Sequence, residues 1–185
     1  MGMTIASAEL SYSASADGTF KVACRFIPDT ASLKALPRLG LTFRSKDDDC
    51  NAVEYLGRGP VETYVDRNSC GTIGLFHTSV ADNFHRYVVP QESGDHTDTR
   101  FVTLNPCGVK ISSDAPFQFS VSPFADTVVD RASHINELKA DGLTTVHIDA
   151  AHTGVGTATC GPDVLPHYII DVAPIDFNFY FKFVK

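Results

Sequence analysis

Near the C-terminus a phenylalanine stands at every second position, Phe177, Phe179, Phe181 and Phe183, with Asn178, Tyr180 and Lys182 between them. A period of two belongs to a pleated strand, whose successive side chains leave opposite faces, whereas a helix would scatter those rings around its axis. Four rings on one face need a second layer to cover them. This segment therefore points to β layers packed face to face, and rings at strict alternation suit half of a sandwich core better than a sugar platform.

Other segments repeat the pattern. Residues 8–13 and 19–27 read as two strands joined at Asp17-Gly18, a dipeptide that favours a hairpin turn, with Phe20, Val22, Cys24 and Phe26 as the inward row. Residues 38–44 alternate, with Leu39, Leu41 and Phe43 on one face. Residues 72–76 and 101–104 are further strands. The spacing predicts a hairpin from 108–113 and 116–122, turning at Ser113-Asp114-Ala115 and burying Phe117, Phe119 and Val121. In 143–151, Thr145, His147 and Asp149 alternate with Val146, Ile148 and Ala150. Residues 126–139 are the one plausible helix. Thirteen Phe, with ten Pro and thirteen Gly spaced between short apolar runs, agree with an all-β chain carrying at most one short helix. The length of 185 residues fits a single domain, 1–185.

The densest chemistry lies in Tyr55-Leu-Gly-Arg-Gly-Pro-Val-Glu-Thr-Tyr-Val-Asp-Arg67. Gly57, Gly59 and Pro60 predict a turn, and the alternation after it predicts a strand. On that strand Val61, Thr63 and Val65 would face one way and Glu62, Tyr64 and Asp66 the other, with Arg58 and Arg67 at the ends. Such a row suits a polyol or cation site. It equally suits an ion-pair network that pins the strand, and this structural reading carries more weight because fixed Arg–carboxylate pairs commonly serve as locks. Glu92, Asp95, His96, Asp98 and Arg100 would join the row if the two strands pair. His152-Thr-Gly-Val-Gly-Thr-Ala-Thr-Cys-Gly-Pro162 has the composition of an exposed loop whose backbone can approach a ligand.

Several function classes are disfavoured. Fifteen basic against twenty-two acidic residues leave a net charge of −7, unsuited to a nucleic-acid surface. No stretch approaches the length of a membrane span, the first residues do not form a secretory signal, and a cytoplasmic protein is the default expectation. Cysteines at 24, 50, 70, 107 and 160 are odd in number and read as reduced thiols. Asp47, Asp48 and Asp49 read as a solvated turn. His147 and His152 lack a third metal ligand and read as structural.

The 55–67 segment resembles the C-terminal domain, small-chain type or domain 5, of the glycoside hydrolase family 2 β-galactosidases, in which a Gly-Pro-x-Glu-x-Tyr-x-Asp-Arg stretch recurs. Three more stretches follow that family's order: Leu36-Pro-Arg-Leu-Gly-Leu41, Val89-Pro-Gln-Glu-Ser-Gly94 with Thr99-Arg-Phe101, and the 152–162 loop. The resemblance implies a large antiparallel β sandwich, a supersandwich of the galactose mutarotase-like type, expected here to be truncated on its N-terminal side. It implies that the two catalytic glutamates, and the magnesium and sodium sites, lie elsewhere in a parent enzyme, and that this segment carries no catalytic residue, metal or cofactor. It also implies that the 152–162 loop reaches the mouth of the catalytic barrel. There Cys160 stands where the family has an aromatic residue, and Thr157, Thr159 and Gly161 remain as polar contacts. The expected partners are the barrel with its galactoside and, through open sheet edges, another copy of the chain. A free-standing carbohydrate-binding module, or a sugar epimerase pairing Glu62 with His96 or His147, are the alternatives.

Overall fold

A computed structural model describes residues 4–46, 50–156 and 163–184. Among these, the strands in chain order are β1 (Ala6–Ala14), β2 (Phe20–Pro28), β3 (Arg38–Lys46), β4 (Cys50–Gly59), β5 (Thr72–Ser79), β6 (His96–Pro106), β7 (Val109–Ser122), β8 (Leu143–His152) and β9 (Ile175–Phe183). Two short helices, α1 (Val80–Asn83) and α2 (Asp126–Arg131), break the series. Every pairing is antiparallel, as the alternating patterns require.

The sheet runs β1-β2-β9-β7-β6-β4-β5 and forks at β7. In its first part, Val109 to Ser112 pair with β9 on one edge and β6 on the other. Further on, Gln118 to Ser122 pair with β8, which carries β3, while Phe117 and Phe119 stay opposite β6. The leaf β9-β2-β1 and the leaf β8-β3 thus leave the same edge of one strand, and they meet across Phe43 and Phe181, whose ring centroids are 6.1 Å apart. Phe117, Phe119, Phe179, Ile111, Val146 and Ile148 fill the space between the leaves, and Leu41, Phe43, Phe177 and Phe181 pack against them. A fully buried Phe such as Phe179 contributes roughly 1.5–3 kcal/mol through its loss of contact with water.

The all-β expectation holds, and the β9 row is the core row predicted for it, except that Phe183 at its end is left 78% exposed. Phe20 at the start of β2 is likewise exposed, its ring stacked on Tyr12 of β1 with centroids 6.0 Å apart. From Ser7 to Ala14 every residue of β1 is exposed.

Three local expectations are corrected. The predicted hairpin at Ser113–Ala115 is instead the middle of β7: residues 113–116 fall between the stretches paired to β9 and to β8, where Pro116 costs no ladder bond. The turn comes earlier, at Cys107 and Gly108, where Gly108 takes φ +68°. The 126–139 helix ends at Arg131, with a separate 3-10 turn at Ile135–Glu137. In the 55–67 segment the order is reversed, since the strand is β4 and it precedes the turn. The Gly59-Pro60 bond is cis, Pro60 has no N–H to continue the ladder, and the chain leaves the sheet there. Val61 is exposed while Thr63 is fully buried, so the two do not share a face. The Asp47–Asp49 run lies outside the described residues.

Candidate functional site

The loop that follows β4 does not present a row of acidic side chains; it folds back and uses each of them to hold another segment. Asp66 holds the base of the 152–162 loop. Its Oδ1 accepts from the Val155 N–H at 3.1 Å and its Oδ2 from the Gly156 N–H at 2.6 Å. Gly154 is a glycine for the same reason, because a Cβ there would lie 2.6 Å from Asp66 Cγ. Glu62 holds the 87–94 segment. Its Oε2 accepts from the Gly94 N–H at 2.7 Å, and its Oε1 accepts from the Tyr87 hydroxyl and from Arg67 Nη2, the latter at 3.0 Å. Arg67 also stacks over the Tyr64 ring, 5.6 Å from its centroid.

Beneath these lies a seam that ties β3 to β8. Arg38 donates through Nε and Nη2 to Asp149 Oδ2, at 3.1 and 2.6 Å, and through Nη1 to Glu92 Oε2 at 3.0 Å. Burial works against the Arg38 charge, and the carboxylates of Glu92 and Asp149 outweigh it, so its pKa rises. Gly40, two residues on, is required by close approach: a Cβ there would meet the Ile148 carbonyl oxygen at 2.2 Å and Asp149 Oδ1 at 2.4 Å. Tyr64 is buried against His152, ring centroids 5.6 Å apart, and its hydroxyl has no hydrogen-bond partner among the described residues. Burial raises the Tyr64 pKa and lowers that of His152, Arg38 adding to the second effect. The result is a small pocket of about 250 Å³ lined by Tyr64, Arg67, Tyr87, Glu92, Val155 and Gly156.

The structure brings Glu62, Tyr64, Asp66, Arg67 and Glu92 together around that pocket. Arg58 stands apart from them, paired with Asp98 at 2.9 and 2.7 Å and donating to the Gly71 carbonyl. Arg100 is exposed and bonds only the backbone carbonyl of Asp98 among its described contacts. Thr157, Thr159, Cys160 and Gly161 lie outside the described residues. Of the residues an epimerase would pair, Glu62 and His96 line one pocket of about 190 Å³ without bonding each other; the Glu62 carboxylate is taken up by Gly94, Tyr87 and Arg67. His147 bonds Asp126 at 3.0 Å and Thr42 at 2.9 Å. His96 is enclosed between the Arg58 carbonyl and Asn83, and burial pushes its pKa down to about 4. Sequence reasoning missed Arg38, Tyr87 and Asp149 as members of the cluster. Arg38 lies inside a quoted motif, but nothing in the spacing reveals a partner 111 residues away. Among the described residues no group of three or more His, Cys, Asp or Glu side chains is placed to hold a metal ion, and no helix is long and apolar enough to cross a membrane.

Asp95 is the costly member of this neighbourhood. It is fully buried and its Oδ1 has no hydrogen-bond partner among the described residues. Burial raises its pKa well above the ordinary 3.8, Glu92 and Asp149 add to the rise, and Arg38 opposes it. A carboxyl that holds its proton more tightly when folded gives its full stability only below about pH 3.8, and loses it as the pH climbs toward the folded-state value. Asp95→Asn should therefore unfold in urea at pH 8 with a free energy about 1–3 kcal/mol higher than the unsubstituted chain. Near pH 3.5 the two should coincide. A variant less stable at pH 8 would show that the Asp95 charge is needed.

Comparison with known proteins gives the following. The family model described as beta galactosidase small chain matches residues 2–182. A β-galactosidase of Actinobacillus pleuropneumoniae is 34% identical over 152 residues, which is 82% of this chain and 15% of that protein. One from Kluyveromyces lactis is 38% identical over 149 residues, 78% of this chain and 14% of the relative. One from Halalkalibacterium halodurans is 29% identical over 180 residues, 94% of this chain and 18% of the relative. The chain therefore spans less than a fifth of the length of these relatives.

Proposed function

We propose, because this chain belongs to the beta-galactosidase small-chain family, that it serves as the C-terminal accessory domain of a β-galactosidase and completes the rim of that enzyme's active site. The observation that carries this reading is the pair of coverages: the similarity takes in 82% of this chain and only 15% of a β-galactosidase. Hydrolysis of a β-galactoside with retention needs one carboxyl as acid and base and a second as nucleophile. In this reading both belong to the barrel of the parent enzyme, as do magnesium and sodium.

What this chain supplies is position. Two charge-assisted hydrogen bonds to Asp66 fix the backbone at Val155 and Gly156, and Arg67, held by Glu62 and Tyr87, lies over the Tyr64 ring beside them. In this reading the backbone held at Val155 and Gly156 presents a preorganised edge to a bound sugar at low entropic cost. Association of copies through an open sheet edge, β1 being one, belongs to the same reading.

The test is complementation. The 185-residue chain alone should leave a chromogenic β-galactoside intact, and co-expression with the remaining part of a β-galactosidase should restore hydrolysis. Lactose cleavage by the purified chain alone would end this reading.

A further inference from the structure

Cys50 and Cys107, 57 positions apart in sequence, bring their sulfurs to 3.1 Å of each other, one thiol donating to the other. Non-bonded carbon atoms settle at roughly 3.5–4.0 Å and sulfur is larger, so the contact is closer than packing of two apolar groups would make it. Strand register explains the approach. Cys50 opens β4 opposite Pro106, the last residue of β6, and Cys107 comes next, at the start of the turn into β7. Both ends are anchored: the Cys50 carbonyl accepts from Thr144 Oγ1 of β8 at 3.3 Å, and the Gly108 carbonyl beside Cys107 accepts from the Val184 N–H at 2.7 Å.

The two thiols differ in access. Cys50 is 2% exposed and belongs to the core, whereas Cys107 is half-buried and donates to the Leu104 carbonyl oxygen at 3.2 Å. That is the layout of an attacking thiol within reach of solvent and a second thiol waiting behind it. Cys24 supplies the contrast, since it is buried and burial raises its thiol pKa, the setting of an inert core cysteine. A disulfide holds its sulfurs at about 2.03–2.05 Å, so closing the 50–107 pair requires a movement of roughly 1 Å, small enough for side-chain torsions to supply with the strands in register.

We propose that Cys50 and Cys107 form a reversible disulfide site of the folded chain, oxidised by a small peroxide and reduced by a small thiol. The Cys107 thiol loses its proton to water and its sulfur attacks one oxygen of hydrogen peroxide. An S–O bond forms as the O–O bond breaks, and the departing oxygen takes up a proton and leaves as water. Cys50 then attacks the Cys107 sulfenic acid: the S–S bond forms, the S–O bond breaks, and hydroxide leaves as a second water with the Cys50 proton. Two thiols and one peroxide give one disulfide and two waters, the peroxide being reduced by two electrons. The bond ties the start of β4 to the β6–β7 turn, and the loop it closes contains Glu62, Asp66 and Arg67, the braces of the candidate site. The proposal stands apart from the enzyme reading.

A few equivalents of hydrogen peroxide added to the native 185-residue chain test it. Non-reducing peptide mapping should show Cys50 joined to Cys107 as the major cross-link, reversed by glutathione. The cross-linked chain should unfold in urea with an equilibrium constant lowered roughly 100-fold, because the bond restricts the unfolded chain. Cys50→Ala should leave Cys107 as a sulfenic acid that dimedone traps, and Cys107→Ser should leave Cys50 unoxidised. The mapping needs no variant, so the proposal stays testable where Cys50→Ala loosens the core. Preferential cross-linking through Cys24, Cys70 or Cys160, a trapped Cys107 sulfenic acid in the unsubstituted chain, no oxidation of the pair, or a cross-linked chain that has lost its fold would each overturn it.

Discussion

Arg38→Ala is expected to lower the unfolding free energy by about 3–5 kcal/mol, the range for breaking a buried ion pair by removing one partner. The reason is what remains. Asp149 is 2% exposed and receives both the Nε and Nη2 donors of Arg38, Asp95 is fully buried nearby, and Glu92 faces the same guanidinium. Without Arg38 these carboxylates confront one another with no cation between them. Arg38→Lys should recover only part of the loss, because a single ammonium cannot reproduce the fork that reaches Asp149 and Glu92 together. Urea unfolding at neutral pH measures both, and a loss below 1 kcal/mol for the alanine variant would show that Asp149 finds another partner.

Asp66→Ala should act locally where Arg38→Ala acts globally. Each hydrogen bond to a charged acceptor contributes about 1.5–3 kcal/mol, and Asp66 provides two, to Val155 and Gly156. Native-state exchange of those two amides should accelerate by roughly 100-fold or more, while the global urea midpoint changes little, since residues 153–156 lie outside the strands. Gly154→Ala should produce the same local signature through the 2.6 Å approach of its new Cβ to Asp66. In a complemented enzyme both substitutions should lower kcat/KM toward galactosides. Unchanged exchange at Val155 and Gly156 would mean that other contacts hold the loop.

Strands with long, regular alternation were legible from residues alone: β9 from its phenylalanines, β8 from Thr145, His147 and Asp149, and the β1–β2 hairpin from Asp17-Gly18, where Gly18 takes φ +82°. Ser113-Asp114-Ala115 in β7 reads as a turn because turn chemistry is local, whereas the reason those residues stay extended is not. There β7 exchanges one neighbour for another, and Ser113 and Asp114 are held by Asn178 of β9 at 2.7 and 2.8 Å. The 55–67 segment shows its importance in its residue types but not its shape. Its polar residues alternate as a strand would, but the partners that fix their places include distant ones: Gly94 for Glu62, Val155 and Gly156 for Asp66, Asp98 for Arg58. Periodicity records which face a side chain takes relative to its neighbours in sequence, and it carries no information about a partner ninety residues on.

The strand shared by both leaves has a consequence for how the molecule comes apart. Neither leaf owns a complete set of ladder bonds without β7, so the loss of either one strips an edge from the strand on which the other depends. Partial melting is thereby penalised from both directions, and the whole assembly gives way in a single cooperative event, with only the β1 margin and the surface loops free to fray beforehand.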